Sequence, residues 1–257
     1  VILLGQSVMS YGRKNEVWEP AIPSPGGYRE PFPRLLESLC DVPGIMRIRF
    51  TSGHPSGCVP ELVRAMTELK PVCEHLHLPV QSGCDRILAG MHRGYTSDGY
   101  RQAAALLRRS VPDMALTTDV MVGYPGETEA EFEETRRFME EIGFDNSFIF
   151  KYSPRPGTPA AELKDDVPDD EKMRRNKALL EDQDRRSMAI HQRLIGRTLE
   201  VMLEGESIRN KARWAGRTRT NKIVVFDPAP GFKPGDMLKV EIRRAAAQTL
   251  YGAAAPG

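Results

Sequence analysis

No two of the four cysteines, Cys40, Cys58, Cys73 and Cys84, stand at the spacing of a zinc site or an iron–sulfur loop. Thiols scattered in this way are expected to be reduced and partly buried in a cytosolic protein. No apolar run approaches the length of a membrane span, so no membrane association is expected. Val1-Ile2-Leu3-Leu4 is apolar but short and follows no basic region, which argues against a signal peptide. The chain opens without Met inside what reads as a strand, so a truncated N-terminus is expected. Net charge is almost absent at +1, and there is neither an internal repeat nor a low-complexity tract. What remains is ordinary globular material. The 257 residues are 40% hydrophobic and 28% charged, enough for one large or two smaller domains with a substantial core.

The small net charge hides an asymmetry. From Leu194 to Gly257 there are 11 Lys and Arg against 6 Asp and Glu, and the rest of the chain has 25 against 29. Ser207–Val225 holds six basic residues and no acid. A basic C-terminal module on a mildly acidic body points weakly to nucleic acid.

Five β-branched or apolar runs punctuate the first part: Val1–Leu4, Met46–Phe50, Leu76–Val80, Ala115–Val122 and Phe148–Tyr152. Helical periodicity fills the gaps at Phe32–Leu39, Val59–Leu69 and Thr96–Leu107, and after a capping box at Thr128–Glu131 that leads to a stop at Gly143. Alternating strands and helices predict parallel strands with right-handed crossovers, whose ligands collect at the strands' C-terminal ends. The long loop Tyr11–Pro31, rich in Gly and Pro, is expected to be functional or mobile. Asp169-Asp170-Glu171 opens a charged helix running to about His191, which suits a link between domains. Beyond Gly196, alternation at Leu199, Val201 and Leu203 and at Leu238, Val240 and Ile242 predicts a small β-barrel. Further short strands are expected at Lys222–Phe226 and Gln248–Tyr251.

Three motifs fall at predicted strand ends. Pro79-Val80-Gln81-Ser82-Gly83 offers an amide and a hydroxyl for a ribose or amino-acid group, or merely caps a barrel rim. Gly123-Tyr124-Pro125-Gly126-Glu127-Thr128 lets backbone approach a ligand and exposes helix amides, or is a tight strand-to-helix turn. Tyr152-Ser153-Pro154-Arg155-Pro156-Gly157-Thr158 is stiffened by two prolines and could hold Tyr152 and Arg155 against a nucleobase, or simply connect elements rigidly. His54 reads as a rim hydrogen-bonder, and His75 and His77 as barrel-lining residues without metal-ligand spacing. In the C-terminal part, Arg217-Thr218-Arg219-Thr220-Asn221-Lys222 reads as a strand with both guanidinium groups on one face. Arg213 and Trp214 stand upstream, suiting phosphate contact and base stacking, although a solvated basic strand has the same pattern.

Together, Leu3–Gln6, Arg49–Pro55, His77–Gly83, Met91–Thr96, Thr118-Asp119 with Val122–Thr128, Tyr152–Thr158 and Gly216–Lys222 resemble the MiaB-type tRNA isopentenyl-adenosine methylthiotransferases. These are radical S-adenosylmethionine (SAM) enzymes, and the likeness runs nearly from end to end. It implies an α/β fold: a partial parallel radical SAM (βα) barrel with a C-terminal linker helix over residues 1–193, then a small all-β, OB-like TRAM barrel over 194–257. It implies SAM-dependent insertion of a methylthio group at an adenine carbon of isopentenyl-adenosine near the anticodon, in the cytoplasm. The full-length family uses SAM and two 4Fe–4S clusters. Its partners are tRNA, an electron donor and, for this chain, the missing N-terminal portion of the same enzyme. By resemblance, SAM contacts fall at Gln6, Gln81, Ser82, Arg93 and Gly123. Substrate or RNA contacts fall at Tyr152, Arg155, Arg213, Trp214, Arg217, Arg219 and Lys222.

The family's Cys-x-x-x-Cys-x-x-Cys loop is not in this chain. The chain is therefore expected to start at the second barrel strand, to bind no cluster or other metal, to hold no assignable catalytic residue, and to be inactive alone. Two further departures are Ser7-Val8-Met9, where the family usually reads Asn-Val-Asn, and Cys84, where it usually has Ser. The first would weaken a polar contact in the pocket, and the second exchanges one small side chain for another. The alternatives are a cluster-free RNA-binding fragment, or a methylthiotransferase of the branches that act on a different tRNA adenosine or on a ribosomal-protein aspartate.

Overall fold

The structure, a computed structural model, describes residues 1–13 and 24–255. Residues 14–23 of the expected Tyr11–Pro31 loop lie outside that description. The described chain divides into two compact units, Val1–Leu180 and Glu181–Gly257.

The first unit is an open parallel α/β arc. Its strands are β1 (Ile2–Leu3), β2 (Arg49–Phe50), β3 (His75–His77), β4 (Ala115–Val122) and β5 (Asn146–Lys151). β1 pairs with β2 in parallel, and β3, β4 and β5 form a second parallel ladder. A parallel bridge from Ile48 to Val72 and a hydrogen bond from Gly53 N to His77 O join the two, so strand order follows chain order. α1 (Pro31–Cys40), α2 (Pro60–Glu68), α4 (Ser97–Ser110) and α5 (Glu129–Ile142) lie where the 3.6-residue periodicity predicts. A short α3 (Asp85–Gly90) was not anticipated. One face of the sheet carries Leu76, Leu116, Val120 and Val122 into a core shared with Leu62, Tyr100, Phe132 and Phe138 from the helices. At the β1 end Val1, Ile2 and Leu4 are exposed, giving an apolar open edge.

Helix α5 starts as its capping box requires: Thr128 Oγ1 accepts from Glu131 N, and Glu131 Oε2 accepts from Thr128 N at 2.8 Å. It ends at Gly143 in the left-handed conformation, φ 65°. Helix α6 spans Asp169–Gln192, with Asp169, Asp170 and Glu171 in its first turn.

The second unit contains a closed five-stranded barrel of β6 (Thr198–Ser207), β7 (Asn210–Thr218), β8 (Ile223–Phe226), β9 (Met237–Ala245) and β10 (Leu250–Ala254), ordered β10-β8-β7-β6-β9. All its pairs are antiparallel except β8 with β10. Val201, Leu203, Val224, Phe226, Val240 and Leu250 fill the interior. The expected partial parallel barrel followed by a small all-β barrel is therefore the architecture found. One local reading needs correction. Strand β7 ends at Thr218, and Arg219 and Thr220 form a turn closed by hydrogen bonds from Asn221 N to Thr218 O and from Thr218 N to Lys222 O. Asn221 adopts φ 63°, which a short polar side chain tolerates and a strand does not use. Arg217 and Arg219 do not alternate along one strand.

Candidate active site and basic strand

Strands β3, β4 and β5 run in one direction, so the loops that follow them meet at one end of the sheet. Gln81, Tyr124, Tyr152, Ser153, Arg155 and Thr158 come together there around a cavity of about 580 Å³. Its wall also includes Arg93, Asp119, Met121 and Phe150. That volume suits a nucleotide-sized ligand.

Each loop is fixed from behind. In the first, Thr118 Oγ1 accepts from Val80 N and donates to Leu78 O, both at 2.9 Å, while Tyr100 Oη donates to Leu78 O at 2.6 Å. The β3–β4 ladder lapses after His77, where Val80 N turns to the Thr118 hydroxyl, and resumes at Gln81, paired with Val120. Gln81 takes φ 70°, unusual for a residue with a Cβ, and stands on the cavity wall. Ser82 is fully buried, with its Oγ 3.0 Å from Thr135 Oγ1 on α5. The Gly83 and Cys84 amides are bonded to these same two hydroxyls. Ser82 thus braces the loop and is not on the cavity wall.

In the second loop, Gly123 has φ 72°, and a Cβ there would collide with Lys172 of α6. Its N–H donates to Glu127 Oε2 at 2.7 Å. Gly123 is a point of close packing behind the cavity. Of the amides at the start of α5, the capping box already engages Thr128 N and Glu131 N. In the third loop, Tyr152 Oη donates to Ala160 O at 2.7 Å and its ring stands edge-on to Tyr124 at 5.6 Å, while Arg155 is exposed at the rim.

Of the five residues expected to contact SAM, Gln81 and Arg93 line the cavity; Ser82 and Gly123 support it from behind; Gln6 is exposed in the turn after β1 and does not line it. Arg93 Nε is buried and has no hydrogen-bond partner among the described residues. The Arg93 side chain itself borders the cavity, and a guanidinium on the wall suits an acceptor-bearing ligand such as a carboxylate or a ribose. The sequence reading missed Asp119 and His77 as a pair: His77 Nε2 lies 3.4 Å from Asp119 Oδ1, and His77 Nδ1 lies 3.1 Å from Thr117 Oγ1. The signal was present, since Thr117 and Asp119 place polar groups at alternate positions of β4, on the face opposite the core. His54 accepts from Ser56 N at 3.3 Å and stands against Tyr95, as a rim residue should.

Cys58, Cys73 and Cys84 are buried and Cys40 is half-buried. Burial pushes the Cys58 thiol up to about 12, so it is protonated at neutral pH. Among the described residues no three His, Cys, Asp or Glu side chains are grouped to hold a metal, and no helix is long and apolar enough to cross a membrane.

In the second unit, Arg213 and Arg217 share one face of β7 and Trp214 takes the other. Trp214 is half-buried, packs against the barrel core and meets Phe226 edge-on at 6.4 Å. The expected exposed stacking ring is thus partly a core residue. Arg213 pairs with Asp227 at 3.1 Å and Arg217 with Glu204 at 3.2 Å. Arg219 lies in the β7–β8 turn, and Lys222 follows it just before β8.

Residues 26–139 match the radical SAM superfamily, and residues 192–255 match the TRAM domain. The chain is 42% identical to tRNA-2-methylthio-N(6)-dimethylallyladenosine synthase of Methylacidiphilum infernorum, over 98% of this chain and 52% of that protein. It is 43% identical to the protein of the same name from Akkermansia muciniphila, over 100% of this chain and 54% of that one. For the Moorella thermoacetica protein of that name the identity is 44%, over 98% and 54%. The chain spans about half the length of the curated relatives it matches. Coproporphyrinogen III oxidase from Escherichia coli aligns at a TM-score of 0.49 and 15% identity, over 72% of this chain and 50% of that one.

Proposed function

We propose that this chain, which carries a radical SAM superfamily segment joined to a TRAM domain, is the SAM-contacting and RNA-contacting part of a cytoplasmic tRNA methylthiotransferase acting on N6-dimethylallyladenosine. In this reading residues 1–193 are the partial barrel with its linker helix, and 194–257 are the RNA-binding barrel. One coincidence carries it: similarity to enzymes so named extends over almost the whole chain, and the three loop motifs surround one nucleotide-sized cavity.

The residues present fit SAM and do not fit a cluster. The cavity has the size, and Arg93, Gln81 and Asp119 supply polar groups on its wall. Three thiolates converging on one cubane are not found among the described residues. When bound, SAM supplies the methyl group and, on reduction, the radical. This chain's own contribution is to hold and orient. Gln81 and Arg93 would take the polar ends of SAM, Tyr152 on the wall and Arg155 at the rim would face the nucleobase, and the closed barrel would engage the RNA backbone through Arg213, Arg217, Arg219 and Lys222, with Trp214 on the opposite face of β7. Sulfur insertion also needs two clusters and an electron donor, and the matched relatives are about twice the length of this chain.

The coding DNA upstream of Val1 tests this reading. An in-frame Cys-x-x-x-Cys-x-x-Cys stretch is expected, and the full product should convert dimethylallyl-tRNA to its 2-methylthio form anaerobically with SAM and reductant. A stop codon followed by a genuine start would leave a cluster-free RNA-binding protein instead.

A further inference from the structure

Strand β5 exposes two phenylalanines, Phe148 at 54% and Phe150 at 51%. Two residues apart on a strand, they project from the same face. Their cross-strand neighbours on β4 are Asp119 and Met121. The opposite face of β4 and β5, carrying Val120, Val122 and Ile149, is packed into the core. The phenylalanines therefore stand on the concave side of the arc. Phe150, Met121 and Asp119 all line the cavity at the strand ends. Phe148 continues the apolar strip one step further, edge-on to His77 at 6.0 Å. The site thus has a polar wall, with Gln81, Arg93 and Asp119, and an apolar wall running out of it along β5.

We propose that Phe148, Phe150 and Met121 form the subsite for the branched five-carbon dimethylallyl group on N6 of the adenine. This rests on the reading that the chain acts on dimethylallyladenosine, and it assigns residues to the feature distinguishing that nucleoside from adenosine. The chemistry suits this occupant. A small hydrocarbon attached to a polar heterocycle needs an apolar surface adjoining hydrogen-bonding groups. A charged or amide-bearing substituent at N6 would lose its hydration against two phenyl rings without gaining a partner.

Binding of this chain to a tRNA anticodon stem–loop hairpin, prepared with and without the dimethylallyl group, tests the proposal by fluorescence anisotropy. The parent chain should prefer the prenylated hairpin by roughly tenfold or more, the discrimination an apolar pocket gives a small hydrocarbon group. Phe148→Ser and Phe150→Ser should each reduce that preference, and together bring it close to one. Phe150→Leu should retain most of it. Thermal melts should be unchanged, because both side chains are exposed. If the parent binds neither hairpin, the functional reading falls and this inference with it. If it binds both equally, or the serine variants keep the preference, the inference alone falls. If the parent self-associates and the serine variants separate it, the strip is an interface between copies and the inference is likewise overturned.

Discussion

Arg175 Nη1 on α6 lies 2.8 Å from Glu127 Oε2, and the two side chains are only 5% and 1% exposed. The same carboxylate oxygen accepts from Gly123 N, so the pair ties the start of α6 to the loop that follows β4. Burial pushes the Glu127 carboxyl above its ordinary value, while the Gly123 amide and the Arg175 guanidinium pull it back. Arg175→Met would leave a buried carboxylate without its cation, and urea denaturation should show a loss of about 3–5 kcal/mol. The double variant Glu127→Gln/Arg175→Met should regain part of it, because neither charge is then left alone. An Arg175→Met midpoint equal to the parent's would mean that this contact does not secure the loop.

Acid should weaken the start of α5 in a defined range. The Arg86 guanidinium, helped by the Thr128 amide and hydroxyl, holds the Glu131 carboxyl down to about 2. A folded value below the unfolded one, near 4.5, means the ionised form stabilises the fold above about pH 4.5. That contribution is lost as pH falls from there towards about 2. Arg86 is more than half exposed, so solvent limits the ion pair to about 1 kcal/mol or less, with the cap adding about 1 kcal/mol. Glu131→Gln should therefore be less stable than the parent at pH 6 and converge with it near pH 2. Denaturant midpoints measured across pH 2–6 check this, and a constant gap down to pH 2 would count against it.

The elements that could be read from the sequence were those whose information is local. Helix α5 announces itself by Thr128, Glu131 and Gly143, and β4 by eight consecutive residues that pair over their whole length. The loops around the cavity were found because glycine and proline mark strand ends. The roles within them were less legible, because they depend on what packs behind. Whether Ser82 faces a ligand or Thr135 is decided by α5, more than fifty residues away in sequence. Gly123 is required by the approach of Lys172, which no local pattern shows. The Arg217–Lys222 segment was misread as a strand for a related reason: alternating Arg and Thr suits a strand, but Asn221 at positive φ closes a turn. Helix α3 has six residues, fewer than two turns, and too few for periodicity to register.

Anaerobic reconstitution of the chain with iron and sulfide should yield no 4Fe–4S cluster. The thiols are spread over α1, the turn before α2, the segment before β3 and the start of α3, and Cys58 is held in its protonated form by burial. Iron and sulfide analysis with the absorbance near 400 nm reads the outcome. A stoichiometric cluster that supports SAM cleavage would refute the expectation and return activity to this chain alone.

The β7 face should bind RNA through charge, against competition from its own carboxylates. Six basic residues and no acid occupy Ser207–Val225, yet Arg213 and Arg217 already pair with Asp227 and Glu204 on neighbouring segments. Binding of a tRNA anticodon stem–loop should weaken steeply with salt, with a log–log slope of roughly −0.7 per phosphate contact on single-stranded regions. Arg217→Ala and Arg219→Ala should each flatten that slope. Glu204→Gln should strengthen binding at low salt, since it frees Arg217 from an internal competitor without altering the strand. Trp214→Ala is a different case: the ring meets Phe226 and the barrel core, so thermal stability should fall together with RNA affinity, while the salt slope stays nearly constant. Titrations at two salt concentrations, with melting curves beside them, separate these effects. If Glu204→Gln leaves affinity unchanged and both Arg variants keep the parent slope, β7 and its turn form a solvated basic face and RNA engages the chain elsewhere.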